Sequence, residues 1–165
     1  MTKANDEMRT VILQSSYIPW RGYFDLIKVA DQFIFLDAVQ MTLRDWRNRN
    51  RIKTPAGLKW LTIPVGNQRN GLINQVIIKD PIWQKHHFKS LLHHYSKAPC
   101  FKEVLPFLEE IYLTKSWQNL SELNQQIIAR ICREWLKIET PLIDSSKFKS
   151  SGRKTLKILN LLRAS

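Results

Sequence analysis

Two short apolar runs near the amino terminus, separated by one helix-length segment, constrain the fold more than any other feature of the sequence. Residues 10–14 and 32–37 combine β-branched and aromatic side chains, which predicts two buried strands. Residues 23–30 place Phe24 and Ile27 on one helical face. A strand, a helix and a second strand in this order predict a parallel pair of strands joined by a right-handed crossover.

The rest of the chain changes from strand character to helix character at Pro81. Before Pro81 we expect a polar, basic loop over residues 41–53 and strands over residues 58–65 and 75–79. After Pro81 we expect helices over residues 83–97, 101–113, 120–138 and 154–163, and a short returning strand over residues 141–144. The last helix is expected to have an apolar side formed by Leu156, Leu159 and Leu162.

These elements predict the α/β fold class. We expect a layered, Rossmann-like sheet with a mostly parallel start in the N-terminal half and a helix-rich C-terminal half. The length of 165 residues favours a single domain over residues 1–165. The carboxyl end of the first strand is the expected ligand side, because open α/β sheets bind their ligands there.

The net charge of +12 is concentrated in two stretches of the chain. Residues 41–60 carry six basic groups and one acidic group, and residues 147–165 carry six basic groups and no acidic group. A localised positive field indicates an anionic partner, such as a nucleotide sugar, another phosphate-containing donor or a lipid headgroup. Nucleic acid stays open as an alternative partner, because charge alone does not choose between these anions.

Several features indicate the compartment. The sequence has no run of about 18 apolar residues that would predict a membrane span. Its first residues include Lys3, Asp6 and Glu7 in place of the apolar segment of a secretory signal. Cys100 and Cys132 are far apart and fit no metal or redox spacing, which favours reduced thiols. We therefore expect a cytoplasmic protein.

The segment between the first strand and the first helix, residues 14–24, contains the first candidate site. Gly22 permits a close backbone approach, and the helix that starts near it offers free N–H groups to an anion. Tyr17, Trp20 and Tyr23 are suited to stacking on a ring or a sugar. The alternative is that these aromatic side chains only pack the helix against the sheet.

The basic segment over residues 42–53 is the second candidate site. Arg47, Arg49 and Arg51 alternate with other residues and would share one face of an extended chain. Guanidinium groups bind phosphate or carboxylate in a bidentate manner, and the amide of Asn48 on the other face is suited to hydroxyl groups. A plain solvated loop is the alternative interpretation, and the interleaved tryptophan argues against it.

Asp37, at the end of the second predicted strand, is the third candidate. A carboxylate at this position can serve as a base or a metal ligand, or it can simply cap a turn. The histidines His86, His87, His93 and His94 form pairs seven residues apart, which lie about 10.5 Å from each other along a helix. That separation excludes a zinc site within this helix, and it leaves a single histidine open as an acid or base.

Several motifs occur together in a characteristic order. They are, along the chain, Gln14-x-x-Tyr17-x-Pro19-Trp20-x-Gly22-Tyr23-Phe24, then Phe35-Leu-Asp37-Ala-Val-Gln40, then Trp46-Arg-Asn-Arg-Asn-Arg-Ile-Lys53, and finally Trp60-Leu-Thr-Ile-Pro-Val65. This combination resembles the WbqC-like protein family of bacterial surface-polysaccharide and O-antigen clusters. The resemblance covers essentially the whole chain and is strongest over residues 12–65.

The resemblance implies an enzyme, a transferase that modifies a glycan. A role in transferring an amino acid such as glycine onto a sugar has been suggested for the family. By this resemblance Asp37 and Gln14 are the catalytic candidates. Substrate-binding roles fall on Tyr17, Trp20, Gly22, Tyr23, Gln40, Trp46, Arg47, Asn48, Arg49 and Lys53. The pattern assigns neither a cofactor nor a metal ligand.

The sequence departs from the family pattern in three respects. Ser15 stands where many members have proline, and Ala38 stands where a second aspartate is usual, which weakens a two-carboxylate or metal mechanism. Family members usually continue for several tens of residues beyond a helix that contains Lys-Thr, whereas this sequence reaches that helix at residues 153–156 and ends at Ser165. We therefore expect a C-terminally shortened member, a fragment or a disrupted reading frame.

The leading functional interpretation is group transfer, such as aminoacyl or acyl transfer, to a nucleotide- or lipid-linked sugar in surface-polysaccharide biosynthesis. Arg47, Arg49 and Lys53 would neutralise charge that develops during transfer, and Asp37 would act as the base. A basic module that binds single-stranded nucleic acid is the first alternative, because arginine and tryptophan are interleaved. A truncated, non-catalytic family member is the second alternative, which Ala38 and the early chain end favour.

Overall fold

The computed structural model describes residues 8–42, 44–68, 71–148, 152 and 155–165. Within these residues the strands are β1 (Thr10–Leu13), β2 (Gln32–Phe35), β3 (Arg49–Thr54), β4 (Gly57–Thr62) and β5 (Leu142–Asp144). The α-helices are α1 (Arg21–Val29), α2 (Ile82–Tyr95), α3 (Phe101–Glu109), α4 (Leu120–Arg130) and α5 (Thr155–Ala164). The helices α3 and α4 continue into π-helical turns at Glu110–Thr114 and Ile131–Trp135, respectively.

A parallel sheet is formed by β1, β2 and β5, with β2 in the centre. Val11 pairs with Phe33, and Phe33 pairs in turn with Leu142 on β5. Every residue of β2 is buried, as expected for a central strand covered on both faces. Phe24 and Ile27 of α1 lie in the same apolar cluster as Phe33. The predicted α/β class, with its parallel start, is confirmed.

The polar loop predicted over residues 41–53 is wrong in its second half, which forms the strand β3. This strand pairs antiparallel with β4 through a tight turn, where Gly57 has a φ of +108° that favours glycine. Ile52 and Leu61 are buried beneath the hairpin, whereas arginines of β3 stack on Trp60. The charge-rich segment forms a strand because Ile52 on its other face is buried in the core and its guanidinium groups lie over the Trp60 ring.

The strand predicted over residues 75–79 is also wrong. Ile73–Gln75 forms a short 3-10 turn, and Ile77 makes one isolated bridge, to Asn119. The side-chain amide of Gln68 accepts from the N–H of Ile77 at 3.1 Å and donates to its C=O at 2.7 Å. A side chain therefore occupies the hydrogen-bonding groups that a neighbouring strand would need.

The second half of the chain is helical, as predicted, and its helix α4 links two apolar clusters. Leu123 and Ile127 lie in the cluster that includes Leu61 of the hairpin. Ile128, the next residue of α4, lies in the cluster that includes Phe33 of the sheet. Helix α4 therefore contributes to both the cluster that includes the hairpin and the cluster that includes the sheet.

The buried side of α5 differs from the predicted one. Leu161 is fully buried, and the ammonium group of Lys157 donates to the backbone oxygen of Ala38. Lys157 and Leu161 are four residues apart and thus share one helical face, which is the face turned to the protein. The leucines expected to form the apolar side of this helix are exposed, namely Leu156, Leu159 and Leu162. Lys154, where the helix was expected to begin, lies outside the described residues.

The helices and the two cysteines can be compared with the absence of a membrane span and the reduced thiols expected from the sequence. Within the part of the chain that the structure describes, no helix has the length and apolar character needed to cross a membrane. Both cysteines are free thiols, with Cys100 exposed and Cys132 buried. Burial raises the pKa of the Cys132 thiol to about 11, so this thiol stays protonated near neutral pH and is a poor nucleophile.

Candidate functional site

A cavity of about 840 Å³ lies where the carboxyl end of β1, the start of α1 and the β3–β4 hairpin meet. Its walls combine apolar side chains with amide, hydroxyl and guanidinium groups. They comprise Ile12, Leu13, Gln14, Ser16, Pro19, Trp20, Tyr23, Leu26, Leu36, Trp46, Arg47, Asn50, Arg51 and Leu58. A concave, largely apolar site with a few polar groups is typical of small-molecule binding. Its place at the end of a parallel strand is where open α/β sheets bind ligands.

Asp37 holds the loop that follows β1. Its side chain is fully buried, and its carboxylate accepts hydrogen bonds from the N–H of Ser15 at 2.8 Å and from Nε2 of Gln125 at 3.1 Å. The hydroxyl of Ser121 donates to the same carboxylate. Both oxygens of the Asp37 carboxylate therefore accept hydrogen bonds from protein donors. Asp37 is not among the residues that line the cavity.

Arg47 binds the same loop from the cavity side. Its Nη1 donates to the backbone oxygens of Gln14 and Ser15, at 3.1 and 3.0 Å, and to Oγ of Ser16 at 2.7 Å. The amide of Asn124 on α4 donates to the backbone oxygen of Arg47 at 2.9 Å. The two N–H groups of Nη1 are shared among these three acceptors, and the planar guanidinium fixes the directions in which they point, unlike the rotating ammonium of a lysine. The Nη1 group of Arg47 is thus used in hydrogen bonds that hold the loop in place.

Two indole rings and two guanidinium groups from the hairpin and the turn before it pack together, and we call them the arginine–tryptophan stack. The ring centroids of Trp46 and Trp60 lie 5.5 Å apart. The guanidinium carbon of Arg51 lies 5.6 Å from the Trp46 centroid and 5.3 Å from the Trp60 centroid. The guanidinium carbon of Arg49 lies 4.3 Å from the Trp60 centroid. Such contacts orient planar cations over rings while their N–H edges can still bind an anion.

Tyr17 lies in the core rather than in the cavity. Its hydroxyl is 2.9 Å from Nδ1 of His87 and also forms a hydrogen bond with the hydroxyl of Tyr112. Burial raises the pKa of both tyrosines above their ordinary value and lowers the pKa of His87 to about 4. The three side chains are therefore neutral near pH 7 and form an uncharged, hydrogen-bonded group in the core.

The start of α1 presents Trp20 and Tyr23 to the cavity. The hydroxyl of Tyr23 donates to the backbone oxygen of Gln14 at 3.0 Å, and burial raises its pKa, so the phenol stays protonated. The indole of Trp20 lies across Gly22, where a Cβ atom would be 1.9 Å from the ring. The missing side chain of Gly22 therefore makes room for the Trp20 ring at the cavity mouth.

Comparisons with known proteins place this chain in a family. The sequence pattern of the WbqC-like protein family matches residues 14–165. The chain belongs to the WbqC-like protein family. It is also similar to the uncharacterised protein Rv1507c of Mycobacterium tuberculosis, at 44% identity over 155 residues, which cover 93% of this chain and 67% of that relative. No solved structure matches the chain.

The cavity brings together part of the set expected from the WbqC-like motifs. The expected residues that line it are Gln14, Trp20, Tyr23, Trp46 and Arg47. Gly22 and Asp37 lie behind the wall, where they affect the cavity through Trp20 and Ser15. The motif thus supplies both wall residues and residues that position the wall.

The other expected residues lie outside the cavity wall. Arg49 belongs to the arginine–tryptophan stack, and Tyr17 belongs to the core. The amide of Asn48 donates to the backbone oxygen of residue 63 at 2.9 Å, and the N–H of Lys53 donates to a tyrosine hydroxyl of α2 at 2.9 Å. Gln40 is exposed and bridges to residue 72. These residues make contacts within the segments around the cavity and do not form part of the cavity wall.

Nine of the lining residues were not assigned to the substrate site by the sequence analysis, and four of them lie in the Ser16 turn or on the hairpin. These four are Ser16, Asn50, Arg51 and Leu58. The alternation of arginines did indicate that Arg51 shares a face with Arg49, which was the available signal. Leu58 had no comparable signal, because its place at the cavity depends on the pairing of β3 with β4.

The histidines of α2 do not converge on one site. His87 is buried against Tyr17, whereas His86 and His93 are exposed. The rings of His93 and His94 lie 4.7 Å apart at the helix end. Among the residues that the structure describes, no group of three or more histidine, cysteine, aspartate or glutamate side chains is placed to hold a metal ion.

Proposed function

We propose that this protein is a group transferase that modifies a nucleotide- or lipid-linked sugar and binds the phosphate of the sugar's carrier in the cavity. The observation that carries the proposal is the presence of two guanidinium groups, those of Arg47 and Arg51, in the wall of one aromatic-lined cavity at the end of β1. Membership of the WbqC-like family supports the reaction class, because the resemblance implies glycan modification.

The charge of the cavity wall favours an anionic ligand. None of the fourteen described residues that line it is an aspartate or a glutamate. Arg51 forms no ion pair within the described part of the chain, and Arg47 lies 3.6 Å from the single carboxylate of Asp45. Two guanidinium groups against one carboxylate leave a positive field in the cavity, and guanidinium groups bind phosphate in a bidentate manner.

The remaining wall groups suit a sugar or a nucleobase. The rings of Trp20, Tyr23 and Trp46 give flat apolar faces on which such a group can stack. The side-chain amide of Gln14 adds a donor and an acceptor for sugar hydroxyl groups. A ligand that carries both a phosphate and a ring would therefore use the whole wall.

In the proposed reaction the hydroxyl or amino group of the sugar attacks the carbonyl carbon of an acyl or aminoacyl donor. A new C–O or C–N bond forms, the bond from the carbonyl carbon to the leaving group breaks, and the proton of the attacking group passes to the leaving group. Arg47 and Arg51 hold the carrier phosphate and thereby orient the sugar. Asp37 is enclosed by its donors, so we give it the role of positioning the Ser15 loop.

A binding experiment with paired variants tests this proposal. Nucleotide sugars, free nucleotides, amino acids and short oligonucleotides are titrated into the purified protein by calorimetry and in a thermal-shift panel. We expect selective binding of a nucleotide sugar, weakened about tenfold or more in Arg51→Ala, because a bidentate charged contact is lost. Lys102→Ala removes an exposed positive charge from α3 and should bind like the unmodified chain.

Two results would count against the transferase proposal. One is an equal loss of affinity in Arg51→Ala and Lys102→Ala, which would mean that only overall charge matters. The other is salt-sensitive binding to oligonucleotides in the absence of any small-ligand binding, which would favour the nucleic-acid alternative.

A further inference from the structure

The mouth of the cavity is rimmed by large apolar side chains that face solvent. Trp20 is 70% exposed, Leu58 62%, Trp46 43% and Leu26 40%, and all four also line the cavity. Exposed apolar side chains that cluster at one place, rather than singly, mark an interaction surface. The rim is therefore a candidate contact surface in its own right.

The outer face of the hairpin continues this rim and adds positive charge. Residues directly opposite each other in an antiparallel pair share a face, and Arg51 lies opposite Trp60 while Lys53 lies opposite Leu58. Arg49, two residues before Arg51, lies on the same face. This face therefore has three cations beside an indole and a leucine, and its strand positions include no carboxylate.

The mixture of groups fits the surface of an anionic lipid bilayer. Indole rings favour the headgroup level of a membrane, and arginine and lysine are attracted to lipid phosphates. Leu26 and Leu58 leave water favourably only when they contact apolar groups, which acyl chains provide and a nucleic-acid backbone does not. On this face the cations of β3 stand beside the apolar side chains of β4, which matches a surface that presents phosphate above hydrocarbon.

We propose that a docking face, formed by Trp20, Leu26, Leu58 and Trp60 with Arg49, Arg51 and Lys53, binds the surface of an anionic lipid bilayer, so that the cavity mouth opens against the headgroups. A lipid-linked sugar can then place its phosphate at Arg51 while its lipid chain stays in the bilayer. This choice of a lipid-linked substrate rests on the proposed function. The docking proposal does not rest on the proposed function, because the docking face can bind a bilayer whether or not a reaction takes place in the cavity.

Vesicle flotation of the full chain, without any substrate, tests the docking. One set of vesicles contains phosphatidylcholine alone, and the other contains phosphatidylcholine with phosphatidylglycerol. We expect the protein to float with the anionic vesicles and not with the neutral ones. Added salt should weaken the binding, because the attraction of cations to the surface is screened. Tryptophan fluorescence should shift to shorter wavelength on binding, because exposed indoles leave water.

Matched variants locate the contact on the protein. Trp20→Ser combined with Leu58→Ser should weaken binding to the anionic vesicles by about tenfold or more, because two apolar side chains no longer leave water. Leu113→Ser, at a leucine that is 50% exposed in the turn after α3, is the apolar control and should bind normally. Lys53→Gln should weaken binding by about fivefold, whereas Lys102→Gln on α3 should not.

Each remaining outcome decides between defined alternatives. Failure of the unmodified chain to bind anionic vesicles, or equal losses in the docking-face variants and in their controls, overturns the docking proposal. Binding to a single-stranded oligonucleotide but to neither vesicle overturns it in favour of nucleic acid. If the serine double variant does not fold, Lys53→Gln alone decides, because the hydrogen bond of Lys53 uses its backbone N–H. Binding of a nucleotide sugar without vesicle binding leaves the proposed function intact with a soluble substrate.

Discussion

The backbone N–H of Ser15 donates to the buried carboxylate of Asp37 at 2.8 Å, although the two residues are 22 positions apart in the sequence. The bond joins the loop after β1 to the end of β2, so two neighbouring parallel strands share a polar contact at their carboxyl ends. Ser121 and Gln125 of α4 donate to the same carboxylate and tie the loop to that helix. The loop that contains the cavity residue Gln14 is thus held in place by hydrogen bonds to the buried side chain of Asp37.

Replacing Asp37 by alanine should lower the free energy of unfolding by about 3 kcal/mol, because buried donors on Ser15 and Gln125 lose a charged acceptor. Urea unfolding followed by circular dichroism measures this change. Asp25→Ala, on the exposed face of α1, is the control and should change the free energy of unfolding by less than about 0.5 kcal/mol. A similar change in both variants would show that the carboxylate of Asp37 does not hold the loop.

Arg47→Lys and Arg51→Lys should differ although both keep the positive charge. In Arg47→Lys we expect the free energy of unfolding to fall by about 2 kcal/mol, because Nη1 of Arg47 serves the backbone of Gln14 and Ser15 as well as a serine hydroxyl. Arg51→Lys should leave that free energy nearly unchanged and weaken only the binding of a phosphate ligand. Urea unfolding and calorimetry on the same samples separate the two effects, and equal stability of the two variants would contradict the loop-holding role of Arg47.

Gly22→Ala should separate stability from binding. Alanine is favoured over glycine within a helix by up to about 1 kcal/mol, so the melting temperature should stay the same or rise. The new Cβ would lie 1.9 Å from the Trp20 ring, so the exposed indole must swing away from the cavity mouth. Binding of nucleotide sugar should then weaken, as measured by calorimetry. In a Trp20→Ala background the Gly22→Ala change should cause no further loss, and an additive loss would show that Gly22 acts by another route.

The local sequence was sufficient to predict the elements whose own residues determine their secondary structure, although β1 is half-buried rather than buried. The apolar runs of β1 and β2 and the helical face of α1 predicted the parallel start of the sheet. Periodicity failed for β3, because its cations become part of a strand only when Trp60 lies beneath them. It also failed at residue 77, where the side chain of Gln68 replaces a neighbouring strand. Both failures depend on partners that the local sequence does not reveal.

The candidate site was predictable to the extent that motif residues line the cavity directly. Trp20, Trp46 and Arg47 are both motif residues and wall residues. Aromatic type alone could not show that Tyr17 is a core residue, because its partner His87 is 70 positions away. Leu58 reaches the cavity only through hairpin pairing, so neither its residue type nor its neighbours predicted its place.

His87 makes the stability of the protein sensitive to acid. Burial lowers the pKa of its imidazole from 6.5 to about 4. Electrostatic interaction with His86 and Lys59 acts in the same direction, while a hydrogen bond with the backbone of Thr62 partly opposes it. With the ring neutral and bonded to Thr62, Nδ1 is free to accept the hydrogen bond of the Tyr17 hydroxyl. Protonation of the ring would remove that acceptor inside the core.

Above pH 6.5 His87 is neutral in both the folded and the unfolded chain, so it contributes no pH dependence there. Between pH 6.5 and about 4 the unfolded chain binds a proton that the folded chain does not, so stability should fall as pH falls. The slope should approach about 1.4 kcal/mol per pH unit and sum to about 3 kcal/mol. Urea unfolding across this range should show a shallower slope in His87→Gln and an unchanged slope in His93→Gln, whose side chain is exposed. If His87→Gln is too unstable to study, NMR titration of the His87 ring in the unmodified protein replaces it, and an ordinary pKa near 6.5 there would refute the buried neutral histidine.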